Sequence, residues 1–359
     1  MKHGVVWEEV GYFGGWPANN GAWIWDGTQI LVGFTIGTFV ERSGHNITKP
    51  YASVLSRSTD GGETWKMETP RPYVGHPPGL QTLTSPLDFT APGFAMRVVG
   101  SGYHGSEEPR GGFFASTDYG QHWAGAYSFE AGPRGPLHSI PELEGLTLTP
   151  RTDYLVEGQH TCRVFLSARE PGNWASEKVF AVLTRDGGLT FDFGGWVVPR
   201  TDRYRAVMPS TVRVSETRLV SAIRRRDLEK DDMADDSTWI DTFASPDNGF
   251  HWFYQGRVSG TGPGNGNPPA LVRLEDGRLC CVYGHRGRRQ MEARLSKDGG
   301  AHWGPVIVLR ENFQVDAYDT ADFGYPRAMQ RHDGALVVIY YWATRTIPHQ
   351  YIAATIWHP

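Results

Sequence analysis

A phrase of eight residues returns five times along this chain and limits the fold more than any other feature. It reads Ser58-Thr-Asp60-Gly-Gly62-Glu-Thr64-Trp65, then Ser116-Thr-Asp118-Tyr-Gly120-Gln-His122-Trp123. The third copy is Thr184-Arg-Asp186-Gly-Gly188-Leu-Thr190-Phe191, and the fourth is Ser245-Pro-Asp247-Asn-Gly249-Phe-His251-Trp252. The last is Ser296-Lys-Asp298-Gly-Gly300-Ala-His302-Trp303. Each part of the phrase suits a tight hairpin. The aspartate accepts hydrogen bonds from the amides of its own turn, and the glycine supplies the φ > 0 position. The aromatic residue opens the next strand and enters an apolar layer. A strand-like run precedes every copy, such as Ala52–Ser56, Val179–Leu183 and Met291–Leu295.

Successive copies start about 50 to 70 residues apart, a spacing that suits one four-stranded blade per copy. A looser repeat lies within each unit: an apolar strand, a turn of Asp-Gly type, and a second apolar strand. Examples are Trp23–Val32 around Asp26-Gly27, Leu271–Cys281 around Asp276-Gly277, and Met329–Val338 around Asp333-Gly334. The segment after Trp303 holds such a hairpin and the strand Tyr351–Trp357 but no copy of the phrase, which makes it a natural last blade. The predicted fold is therefore all-β: a six-bladed β-propeller of four-stranded antiparallel blades, one domain over residues 1–359. A strand between Gly4 and Val10 is expected beside the last blade, closing the ring and leaving no exposed sheet edge. A seventh blade would need a repeat between Gly132 and Gln159. The 13% of aromatic residues and the 44 glycines suit short strands joined by tight turns.

A formal net charge of -4 argues against a nucleic-acid partner. The three cysteines, Cys162, Cys280 and Cys281, give neither a disulfide framework nor a metal-binding pattern. That usage, with no leader-like apolar run at the N-terminus and no stretch long enough to cross a membrane, leads to the expectation of a cytoplasmic protein with no membrane partner. No metal-ligand spacing, phosphate loop or nucleophile elbow is present, so no cofactor is expected.

The repeated phrase and the six-blade arrangement resemble the Asp-box proteins of the sialidase (neuraminidase) superfamily, over nearly the whole chain. The resemblance implies a glycan substrate and a pocket at one end of the central channel, where three arginines clamp a carboxylate. It also implies a tyrosine nucleophile with a glutamate beside it, and an aspartate as acid/base. Tyr325, in Phe323-Gly-Tyr325-Pro, falls at the place of that tyrosine. Arg224, in Ser221-Ala-Ile-Arg224-Arg225-Arg226, falls at the second arginine. Arg288 or Arg289 falls at the third, and Arg286 competes equally with Arg224 as the arginine that faces the channel and binds a carboxylate. The pattern is broken elsewhere. Trp16 stands where the first arginine belongs and Met208 where the glutamate does, and residues 41–51 contain no aspartate.

His45 is the nearest proton donor to the missing aspartate, and Asp322, three residues before Tyr325, is an alternative carboxylate. His104, Glu107 and Glu108 lie on the corresponding loop of the second blade. Asn267 opens the fifth inner strand and offers hydrogen bonds to a hydroxyl. Tyr283 and Trp239 complete the candidate substrate contacts. The density of arginine predicts an anionic ligand, such as a sialate or a uronate. Three functions follow: an exo-glycosidase acting on an acidic glycan, a propeller lyase acting on a uronate, or a glycan-binding propeller without catalysis.

Overall fold

The computed structural model of the protein describes residues 1–71, 73, 80–100, 111–129, 136–137, 139–314, 317–318 and 321–359. Within them the repeated phrase does what its chemistry requires. In the first copy, Ser58 Oγ donates to Asp60 Oδ1 at 2.7 Å and accepts from the Gly62 amide at 2.8 Å. Asp60 Oδ1 takes the Thr64 amide at 2.9 Å, and Trp65 Nε1 donates to the Gly62 carbonyl at 3.0 Å. The same Ser/Thr-to-Asp and amide-to-Asp bonds recur in the other four copies. Each hairpin is thus closed by contacts two to four residues apart in sequence.

These hairpins join the third and outer strands of five blades. The first blade pairs Tyr12–Gly15, Gln29–Phe39, Ile47–Ser58 and Lys66–Glu68 in that order, with Ala22–Trp25 also on Gln29–Phe39. The second has three strands among the described residues, Ala95–Val99, Gly112–Ser116 and Ala124–Ser128, and Gln81 adds a bridge to Tyr127. In the third, Thr147–Leu148 and Tyr154–Val156 both pair with Cys162–Arg169, followed by Lys178–Thr184 and Asp192–Trp196. Among the described residues of the stretch in which a seventh blade would have had to hide, the strands Thr147–Leu148 and Tyr154–Val156 belong to this blade. The fourth runs Arg205–Arg213, Leu219–Arg226, Thr238–Ser245 and Phe253–Gly260, and the fifth Ala270–Arg273, Leu279–His285, Gln290–Ser296 and Ile307–Arg310. The sixth takes Gly324–Gln330, Leu336–Trp342 and Tyr351–Trp357, and its outer strand is Lys2–Trp7 from the N-terminus. Lys2 pairs with Ile356, so the two ends of the chain close the ring in one sheet.

The core is a set of layers between blades. Leu336–Trp342 shows why: every residue of it is buried, because both faces of a middle strand meet a neighbouring blade. Leu336, Val338, Tyr340 and Trp342 pack toward the fifth blade, whereas Val337, Ile339 and Tyr341 pack toward the first. The aromatic residues of the repeated phrase enter five different layers: Trp65, Trp123, Phe191, Trp252 and Trp303. The sixth layer, which has no copy, is filled by Trp342 and Trp357.

Candidate active site

Strand register separates the structural hairpins from the chemistry. In the first blade Phe39 pairs with Ile47 at one end and Ile30 with Ser58 at the other. The loop carrying His45 therefore lies at the opposite end of the blade from the Asp60 hairpin. At the His45 end of the channel a pocket of about 610 Å³ opens, lined by Trp16, His45, Arg224 and Tyr325 among others. Arg151, Arg169, Arg205, Arg224 and Arg226 also line it, against the single carboxylate Glu177 among the described residues. The wall is strongly cationic although the chain as a whole is not.

Three wall residues hold left-handed backbone without being glycine: Trp16 at φ 58, Met208 at φ 58 and Tyr325 at φ 50. Such conformations cost about 1–3 kcal/mol each and persist only where the surroundings impose them. At Tyr325 the cause is visible. Its amide donates to Asn267 Oδ1 at 3.0 Å. The preceding Gly324 has φ 102, and a Cβ there would sit 2.2 Å from the same oxygen. Buried Asn267 thus shapes the bulge that turns Tyr325 into the pocket.

Arg224 Nη1 donates to Tyr325 Oη at 3.1 Å and Nη2 to the Asn265 carbonyl. Burial alone would raise the Tyr325 phenol, but Arg224, then Arg286, His45 and Arg151, outweigh it and bring it down to about 8. Arg224 is itself lowered to about 10, chiefly by burial. Arg286 Nη1 donates to the Ala321 carbonyl at 2.6 Å. Burial opposes its charge, yet Tyr341, Asp322 and Tyr325 hold its pKa above the ordinary arginine value.

His45 Nδ1 lies 2.9 Å from Asp322 Oδ1, and Tyr341 Oη donates to that oxygen at 2.5 Å. Burial disfavours the imidazolium, but the Asp322 charge and hydrogen bond prevail and raise the His45 pKa above its usual 6.5. Asp322 is fully buried, which raises its pKa, but His45, Arg286 and Tyr341 together hold it below the ordinary carboxylate range. The pair is thus a carboxylate that orients the His45 ring and strengthens its hold on the proton. Trp16 packs edge-on against the His45 ring with centroids 4.9 Å apart.

Of the residues expected from sequence, His45, Tyr325 and Arg224 line the pocket, with Asp322 and Arg286 directly behind them. Asn267 lies beneath Tyr325 and touches its backbone, so its place is structural support and not the pocket wall. The remaining three expectations need correction. Arg289 is exposed in the turn after Leu279–His285, where φ 55 carries the chain round the hairpin, and Arg288 beside it pairs with Glu292 at 2.7 Å. Tyr283 is fully buried and faces the layer between the fourth and fifth blades. Trp239 gives Nε1 to Asp241 at 2.7 Å and packs on Tyr204, away from the pocket. His104, Glu107 and Glu108 lie outside the described residues.

Sequence reasoning missed Tyr341, Arg205, Glu177 and Trp174. Glu177 accepts from Arg205 Nε at 2.5 Å. One signal was available: Trp174 stands in Glu170-Pro-Gly-Asn-Trp174-Ala-Ser, where a large aromatic interrupts an otherwise polar loop.

Residues 81–338 match the BNR repeat-like domain, and the chain belongs to that family. Among solved structures it is similar over 99% of its length to a protein of unknown function from Dyadobacter fermentans DSM 18053 (97% of that chain, TM-score 0.70, 19% identity). It is also similar over 98% of its length to the GH93 alpha-L-arabinofuranosidase of Fusarium graminearum, in complex with arabinobiose (94% of that chain, TM-score 0.57, 12% identity). A Hadza microbial sialidase aligns over 96% of this chain and 65% of its own (TM-score 0.58, 14% identity). No curated protein matches the sequence. At these identities the likenesses show the fold, a propeller shared with glycosidases.

Proposed function

We propose that the protein is an exo-acting glycosidase that removes an acidic terminal sugar from a glycan. One observation carries this reading: a phenol acidified by two arginines and a histidine whose pKa a buried carboxylate raises converge on one cationic pocket. Arg224, with Arg286 behind it, draws in the sugar carboxylate. Tyr325, as phenolate, attacks the anomeric carbon while His45 passes its proton to the departing glycosidic oxygen. A covalent glycosyl-tyrosine results. His45, now neutral, takes a proton from water, whose oxygen attacks the anomeric carbon and releases Tyr325. In place of a glutamate that would deprotonate the phenol, the charged surroundings bring it down to about 8, so that the phenolate is accessible at mildly alkaline pH; Met208 occupies the glutamate's place, with Sδ 3.6 Å from Arg224 Nη1.

A lyase acting on a uronate is the second reading. It is favoured by the pocket wall, whose single carboxylate among the described residues, Glu177, is already paired with Arg205. An elimination needs no carboxylate pair, only a base, an acid and arginines on the uronate.

The test is turnover on sialosides, uronate oligosaccharides and rhamnosyl-uronates, reading released sugar together with ultraviolet absorbance. Hydrolysis yields a reducing acidic sugar and no absorbing double bond. That activity is lost in Tyr325→Phe and falls roughly 10²–10⁴-fold in His45→Ala. A rise in absorbance overturns hydrolysis in favour of the lyase. Binding without turnover leaves a glycan-binding propeller.

A further inference from the structure

Besides Tyr325, the pocket is lined by Arg169, Trp174 and Glu177 of the third blade and by Arg205 at the start of the inner strand of the fourth. Trp174 stands there half-exposed, at 51%. Its loop is fixed by Asn173, whose Oδ1 accepts the amides of Ala175 at 3.1 Å and Ser176 at 3.3 Å. The Glu170 amide donates across the loop to Ser176 Oγ at 2.9 Å. An exposed indole on a loop braced in this way is a prepared stacking surface rather than a stray aromatic. The Arg169 guanidinium lies 3.8 Å from its ring centre, and that of Arg205 lies 5.1 Å away.

The two arginines differ. Arg205 is paired with Glu177. Arg169 has no ion pair and no hydrogen-bond acceptor among the described residues, and its buried Nε has no partner. A buried guanidinium nitrogen without an acceptor is costly, and the cost is removed when an anion arrives. Resting on the glycosidase reading, which places the terminal sugar against Tyr325, we infer that Arg169 and Trp174 form a second, separate subsite. It holds the next sugar of the glycan, and that sugar is itself anionic. Its ring stacks on Trp174, and its carboxylate or sulfate takes the fork of Arg169. The preferred substrate then carries charge on two consecutive residues.

The test is calorimetric titration of the full chain with three trisaccharides: an oligogalacturonate, a sulfated galactan fragment and a neutral galactan fragment. The wild-type protein is expected to bind both anionic probes more tightly than the neutral one. Arg169→Gln should weaken the anionic probes roughly tenfold and leave the neutral one unchanged. Arg169→Lys should recover part of that loss, and Trp174→Ala should weaken all three. Circular dichroism matching the wild type checks that the variants fold, as expected for side chains at a pocket rim. Unchanged affinity in Arg169→Gln, equal losses for neutral and anionic probes, or no binding of any probe overturns the subsite. Binding that depends on Arg169, in a protein that turns over no acidic terminal sugar, supports the subsite while counting against the proposed reaction.

Discussion

Replacing Arg224 by methionine keeps most of the side chain's length and removes the charge nearest the Tyr325 phenol. The native phenol is held at about 8 against the upward push of its own burial, with Arg224 the largest opposing influence. Without Arg224, burial faces only the smaller influences of Arg286, His45 and Arg151. The phenol should return to 10 or higher, a shift of at least two units, or about 2.7 kcal/mol toward the neutral form. At pH 8 the ionised fraction would fall from about one half to about one in a hundred. Tyrosinate absorbance measures this without any substrate. Subtracting the titration of Tyr325→Phe isolates one phenol among the 15 tyrosines. The window is favourable, because burial pushes Tyr73 up to about 12 and raises Tyr154, Tyr283, Tyr340 and Tyr341 as well. A wild-type difference curve with no tyrosinate below about pH 9.5 refutes the acidified phenol. An unchanged midpoint in Arg224→Met refutes Arg224 as its cause.

Asp322→Asn should drop the His45 pKa below its usual 6.5, because burial and Arg286 then face only the weaker raising influence of Tyr325; the ring's NMR titration reads this directly. The native pair stabilises the fold fully only below 6.5, from the raised His45, and above 3.8, from the lowered Asp322. The melting temperature deficit of the variant should therefore be largest between those values and shrink outside them. Asp60 and Asp247 are lowered to about 2 by the hydrogen bonds of their hairpins, despite the opposing effect of burial. Their contribution is present above 3.8 and is lost as pH falls toward 2, so the wild-type melting temperature should fall through that window, and less steeply in Asp247→Asn. Trp252→Ala empties a space beside Phe165 between the third and fourth blades and should cost about 3–5 kcal/mol in denaturant unfolding.

The ring was legible in the sequence because its repeated element is local: Ser58, Asp60, Gly62 and Thr64 satisfy one another within a few residues of chain. The site was legible only in part. Tyr325 and Arg224 sit on an inner and a middle strand, within local phrases that resemble those of a known family, so their places could be proposed from sequence. The His45–Asp322 contact joins residues 277 apart in sequence, and no pattern along the chain announces a pair of that kind. Arg286 and Arg289 stand three residues apart in one arginine-rich turn. Only the course of the backbone sends the first inward and the second to solvent. The left-handed Trp16, Met208 and Tyr325 were hidden for a related reason. Nothing in a tryptophan or methionine advertises a conformation that glycine normally takes, and at Tyr325 the residue that shapes it, Asn267, is 58 positions away in sequence.

The N-terminal strand Lys2–Trp7 completes the sixth blade, and this fixes when the chemistry can exist. His45 and Trp16 belong to the first blade, while Asp322, Tyr325 and Tyr341 belong to the sixth or its approach. The His45–Asp322 pair straddles the seam where the circle shuts. A chain with five well-formed blades and an unlatched sixth would hold every residue of the site, yet its imidazole would lack the carboxylate that keeps it charged. Under the proposed reading, turnover would report completed assembly: the blades that bring His45 and Asp322 together are the two whose sheets the ends of the chain close.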